Sequence, residues 1–100
     1  MKRVIFTDAA EGELEAIGDY IAVDNPTRAA TFIQELRDRC LSLPDMPKRF
    51  PLLRRYRSSG IRRRVHGNYL IFYRIDNETI EIVHILHGVI DYEALLFPEN

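Results

Sequence analysis

Residues 61–87 read IRRRVHGNYLIFYRIDNETIEIVHILH, and the fold turns on this stretch. Gly67-Asn68 is a two-residue hairpin signal with glycine at the first central position. A strand is therefore expected over Ile61–His66 and a second over Tyr69–Ile75. The second is apolar on both parities, Tyr69, Ile71 and Tyr73 against Leu70 and Phe72, which marks a central strand covered on both faces. Asp76-Asn77-Glu78 makes the next turn, and a third strand runs from Thr79 to about His87. With a regular turn, residue 66 pairs with 69, 64 with 71 and 62 with 73. Arg62, Arg64 and His66 then share a face with Tyr69, Ile71 and Tyr73. One β-bulge would reassign that parity.

Working back toward the N-terminus, Lys2–Phe6 reads as a short first strand centred on Val4, Ile5 and Phe6. Asp8 offers an N-cap with Glu11 three residues on, as in a capping box, and Glu11, Glu13 and Glu15 suit the positive end of a helix dipole. Leu14, Ile17 and Ile21 recur at helical spacing, so a helix is expected over about residues 9–23. Asp24-Asn25-Pro26 then supplies a cap and a first-turn proline. Ala29, Ile33, Leu36, Cys40 and Leu43 form one face of a helix over about residues 26–43, ended by Pro44. The short connection dictates an antiparallel hairpin of helices. Cys40 lies on the apolar stripe and reads as a small core residue rather than a nucleophile. Residues 44–60, with Pro44, Pro47, Pro51 and Gly60, are expected to be irregular. Asp91 caps a short last helix through Leu96, closed by Pro98.

The order is β-α-α-β-β-β-α, a single α+β domain spanning residues 1–100, with the helical hairpin packed on one face of a small, mostly antiparallel sheet. Two helices cannot cover both sides of the apolar central strand. The second face requires the C-terminal segment, a second copy or a different chain.

Charge is segregated along the chain. The stretch from Lys48 to Arg64, KRFPLLRRYRSSGIRRR, holds eight of the fourteen cations and no acid, and the other 83 residues hold all fifteen acids and six cations. A local positive field beside a sheet suits an anionic partner, whereas a run of charge alone reads as a solvated face. Net charge is −1 and the pI near 6.3, which excludes a generally basic nucleic-acid binder. The apolar fraction of 46% supports a packed core and excludes a disordered composition. Cys40 is the single cysteine, so no internal disulfide forms, which fits a reducing cytoplasm. The N-terminus turns acidic after six residues and no signal peptide is expected; no apolar run reaches the ~20 residues of a membrane span.

No motif for a standard chemistry stands out: there is no glycine-rich phosphate loop, CxxC or HExxH, so no cofactor or metal is expected. His84 and His87 are three apart on a strand and face opposite sides, poor geometry for one metal. His87 before Gly88 reads as structural or interfacial. Arginines with a histidine or tyrosine provide the ingredients of a metal-free nuclease, ingredients that inert domains also carry.

Five runs in order give the chain a family likeness. They are Ala10–Leu14–Ile17–Tyr20–Ile21, Asp24-Asn25-Pro26 through to Leu36, the Leu43-Pro44 helix end, Arg62–Asp76, and Ile80–Asp91. Over about residues 3–96 the chain resembles the ParE branch of the ParE/RelE toxin superfamily of bacterial toxin–antitoxin, plasmid-stabilisation-like systems. That resemblance implies a cytoplasmic toxin in a hetero-oligomer with a cognate antitoxin. The antitoxin's N-terminal part is a DNA-binding dimer and its tail folds against the toxin. ParE-type members poison DNA gyrase; RelE-type members cut mRNA on the ribosome. Leu70 and Ile90 stand where the nuclease members carry basic groups, and HGVID at residues 87–91 replaces the HGxRD run of ParE-type members. The family's arginine at the His84 position is also replaced. The resemblance therefore implies a toxin that binds and poisons a target with no catalytic residues of its own. A RelE-like ribosome-dependent mRNA endonuclease is the alternative, and a non-toxic binding module of the same fold is a third. The residues expected to meet antitoxin or target are Arg54, Arg55, Arg62, Arg63, Arg64 and His87.

Overall fold

The computed structural model describes residues 2–98. Strand β1 spans Arg3–Phe6, helix α1 Asp8–Ala22 and helix α2 Pro26–Leu41. Two 3-10 turns, Leu43–Asp45 and Arg54–Ser59, precede strands β2 (Ile61–His66), β3 (Tyr69–Asp76) and β4 (Thr79–His87) and the short helix α3 (Tyr92–Leu96). The sheet order is β1-β4-β3-β2, parallel between β1 and β4 and antiparallel elsewhere, so the expected α+β architecture holds. Glu11 reaching Arg37 and Gly18 lying against Ile33 show the helices running antiparallel. The second helix stops at Leu41, two residues short of the expected end. Pro44 disfavours the helical conformation of its predecessor, and the chain tightens into a 3-10 turn.

The N-cap of α1 is Thr7, one residue before the expected Asp8. Its hydroxyl accepts from Ala10 N at 3.0 Å and donates to the Val83 carbonyl at 2.9 Å, so the strand that delivers it also fixes it as the cap. Glu11 does not reach back to complete a capping box; its carboxylate receives Arg37 at 2.9 and 3.2 Å. Asn25 caps α2 as expected, accepting from Arg28 N at 3.0 Å.

The hairpin pairs 66 with 69, 64 with 71 and 62 with 73, and Gly67 takes φ +59. The one register shift lies instead between β3 and β4, where Phe72 pairs His84 and Tyr73 pairs Ile82, leaving Val83 as the extra residue. That bulge resets parity so that Ile82 and Ile85, three apart, both enter the core under the helices. It falls where β1 ends opposite Ile82, so the rest of β4 runs beside α1 rather than beside a strand. There Glu13 on α1 takes the strand's place, accepting from Ile85 N at 2.8 Å and lying 2.7 Å from His84 Nδ1.

Two apolar clusters sandwich the sheet. The larger joins Leu14, Ile17, Leu36, Cys40 and Leu43 to Ile71, Tyr73, Ile80, Ile82 and Ile85. The second joins Leu53, Ile61, Leu70, Phe72 and Leu86, with Tyr56, Tyr92, Leu96 and Phe97 packed on it. The chain's own 53–61 segment and C-terminal helix thus supply the second cover. Of the three candidates open from sequence, the C-terminal segment is the one present, joined by residues expected to be merely irregular.

Candidate functional site

Strand alternation splits the arginine run. Arg62 and Arg64 turn to the helix face and Arg63 to the other. Arg62 Nη1 donates to the carbonyls of Phe50 at 2.7 Å and Lys48 at 3.3 Å. Arg64 Nη1 donates to the Arg39 carbonyl and the Ser42 hydroxyl, both at 3.0 Å, and its guanidinium lies 4.6 Å from the centre of the Phe50 ring. A cation there meets the carbonyl end of α2, where the helix dipole favours it. Burial, followed by Arg39 and Arg49, lowers the Arg64 pKa, and the carbonyl contacts offset that cost. Tyr73 hydroxyl completes the tie-down, donating to the Pro47 carbonyl at 2.7 Å. Two of the expected site arginines therefore hold the 42–50 segment onto the domain.

Arg63 occupies a different setting. With Arg54, Arg55 and Tyr56 of the second 3-10 turn, and Tyr92 and Glu93 of α3, it lines a cleft of about 360 Å³ floored by residues 51–53. The Arg63 N–H donates to the Pro51 carbonyl at 3.1 Å, and its Nη1 donates weakly to Tyr92 OH at 3.4 Å. Arg54 and Arg55 are exposed; Arg55 lies 3.4 Å from Glu93, which also accepts from Tyr56 OH at 3.0 Å. Desolvation and then Glu93 raise the Tyr56 pKa, so its phenol is poorly suited to take a proton. Tyr56 stacks on Phe97 with centroids 3.8 Å apart, and Tyr92 packs on Phe72 at 4.9 Å.

His87 lies apart from the arginines. It lines an apolar groove of about 290 Å³ between α1 and the end of β4, with Ile17, Tyr20, Tyr69, Ile85 and Ile90. Its Nδ1 accepts from Val89 N at 3.2 Å and its ring meets Tyr69 edge-on at 5.0 Å. Tyr20 at 75% exposure and Ile90 at 41% leave that groove open to solvent. Leu70 is a core side chain of the second cluster. The six expected residues thus fall into three places: a structural pair, a cleft holding Arg54, Arg55 and Arg63, and a groove holding His87. Tyr56, Tyr92 and Glu93 were not among them. Only their nearness to the basic run and to the Asp91 cap marked them in the sequence, and neither signal shows which way a side chain points.

The family model for the ParE toxin of the parDE type II toxin–antitoxin system matches residues 4–92. The chain belongs to the ParE toxin family. Its fold is similar to that of a chromosomal ParDE system from P. aeruginosa, with a TM-score of 0.73 at 21% identity over 87% of this chain and 96% of that one. It is also similar to the RelBE2 toxin–antitoxin complex from Mycobacterium tuberculosis, at 0.65 and 26% identity over 86% of this chain and 96% of that one. No curated protein sequence matches the chain. The family model ends at Tyr92, so it takes in β2, the hairpin and the arginine run but only the first residue of α3.

Proposed function

We propose that the chain is the toxin of a type II toxin–antitoxin pair, acting in the cytoplasm. It is held inactive by a cognate antitoxin with a DNA-binding N-terminal part, and it poisons DNA gyrase by binding. Family membership over residues 4–92 carries this reading. The chemistry of the basic cleft supports binding over RNA cleavage. Leu70 is committed to the second apolar cluster and Ile90 to the apolar groove, so neither brings charge to a phosphate. Tyr56 is a poor proton acceptor, its hydroxyl already donating to Glu93. Loss of one oxyanion-stabilising donor commonly costs ~100–1000-fold in rate, so a chain with apolar side chains at positions 70 and 90 and no ready base in the arginine cleft is a weak nuclease.

The test joins growth to two assays on one preparation. Expressed alone, the chain arrests growth or causes filamentation, and the small protein encoded beside it restores growth. Purified, it inhibits gyrase supercoiling, with cleaved DNA accumulating in the presence of ATP, and leaves translating mRNA intact in primer extension. Codon-linked mRNA cuts with unaffected gyrase would replace this reading with the RelE-like one. Normal growth at verified high levels of folded protein would leave only the binding module.

A further inference from the structure

Three guanidiniums meet at the cleft between the 3-10 turn, β2 and α3, and one carboxylate answers them. Glu93 is taken by Arg55 and Tyr56. Arg54 and Arg63 line the same cleft, and neither has a carboxylate at ion-pair distance among the described residues. Arg63 is half-buried on a paired strand, and its guanidinium is held only by the 3.4 Å contact to Tyr92 OH, which leaves most of its fork free for an anion. A half-buried cation without an anion is electrostatically unsatisfied, and an incoming carboxylate gains a charge-assisted, potentially bidentate contact there.

We infer that this cleft is a socket for an aspartate or glutamate side chain presented by an acidic, partly apolar peptide segment of a partner protein. It deepens the toxin reading, and rests on it, by naming the chemistry of the partner contact. Two observations favour a peptide carboxylate over a nucleic-acid phosphate. The cleft already seats one carboxylate, Glu93, on Arg55 and Tyr56, so its donors are spaced to receive that group. Tyr56 stacks on Phe97 and Tyr92 packs on Phe72, so both rings are engaged within the protein, which reduces the stacking surface open to a single-stranded nucleic acid.

The test uses the full chain with isotope-labelled backbone amides. It is titrated with a short capped peptide of alternating Leu and Glu, with the same peptide carrying Gln for Glu, and with a single-stranded RNA of matched charge. The Glu peptide should bind saturably and move the Arg54, Arg63 and Tyr92 amide signals. Arg63→Gln should weaken that binding roughly 10- to 100-fold, the range of one charge-assisted hydrogen bond. Arg54→Gln provides a second, exposed variant whose folding is not in question. Equal binding of the Gln peptide, indifference to both substitutions, or no saturable binding would overturn the socket. Arg63-dependent RNA binding would overturn it in favour of a nucleic-acid cleft. Growth arrest and antitoxin rescue are read separately: a cleft indifferent to carboxylates leaves the toxin reading standing, and a failure of rescue leaves the titration to decide the cleft.

Discussion

Replacing Arg62, Arg63 and Arg64 one at a time by alanine should separate three consecutive identical residues by their energetic role. Arg64 makes two hydrogen bonds of 3.0 Å at the carbonyl end of α2 and covers the Phe50 ring. A hydrogen bond from a charged donor is worth ~1.5–3 kcal/mol, a cation at a helix C-terminus ~0.3–1, and a cation–π contact ~0.5–1. These contributions overlap, and the desolvation that lowers the Arg64 pKa subtracts from them. The net loss for Arg64→Ala is therefore about 2–3 kcal/mol, or a fall of roughly 10–20 °C in thermal midpoint for a domain of this size. Arg62→Ala loses donation to two carbonyls, at 2.7 and 3.3 Å, for about 1–2 kcal/mol. Arg63→Ala loses only a 3.4 Å contact to a hydroxyl and should stay within about 0.5 kcal/mol of the parent. Arg64→Met keeps the aliphatic stem and isolates the charge. Urea unfolding followed by circular dichroism reads all four. If Arg63→Ala costs as much as Arg64→Ala, or Arg64→Ala is silent, the division of the run between structure and binding is wrong.

Glu13→Ala should cost about 1–3 kcal/mol and speed hydrogen exchange at Ile85, because the Ile85 N–H loses its acceptor; Glu13→Gln keeps an acceptor there and should lose less. Cys40 is buried and burial pushes its thiol up to about 12, so maleimide labelling at neutral pH should proceed only as fast as the domain opens, and rapid labelling of folded protein would contradict its place in the core. Arg28 first and then His66 hold the Glu35 pKa below the usual 4.5, as Arg37 does for Glu11. A depressed folded value means that this stability is present above 4.5 and lost as pH falls through the folded values; urea midpoints should drop over that window, modestly because both pairs are exposed, and the Glu11→Gln, Glu35→Gln double variant should flatten the drop.

What the sequence disclosed was set by how local each rule is. Asn25 capping the helix that opens at Pro26, the Gly67-Asn68 turn and the helical stripes depend on neighbours within a turn of chain, and all were legible. Thr7 was not, because the partner that fixes its hydroxyl, Val83, lies 76 residues away. The Val83 bulge had no signature in residue type, yet it decides that Ile82 and Ile85 share a face. The candidate site was legible as a charge run and illegible as a surface. The hairpin register correctly placed Arg62 and Arg64 with Tyr73, but composition alone does not say that this face is closed by residues 42–50. Residues 53–56 were read as irregular because the neighbouring Pro51 and their own arginines outweigh Leu53 and Tyr56, the two side chains that bind them to the sheet.

The charge that remains for a partner follows from that closure. Once Arg62 and Arg64 are spent on carbonyls, the outward cations near the cleft are Arg54, Arg55, Arg57 and Arg63, all beside the second apolar cluster. Helix α1, on the other face of the sheet, is opposite in sign: it holds Asp8, Glu11, Glu13, Glu15 and Asp19 and no Lys or Arg. A domain of net charge −1 thus carries a positive cleft on one side of its sheet and a negative helix on the other. Such a dipole orients an incoming acidic segment before contact, an effect that acts on association and fades as salt shortens the Debye length. The half-buried Arg63 acts after contact, where loss of a desolvated pair speeds dissociation. The polar cleft and the apolar His87 groove are separate surfaces, so a single tail filling both must cross from the α3 side of the sheet to the α1 side, wrapping the domain rather than resting on one face of it.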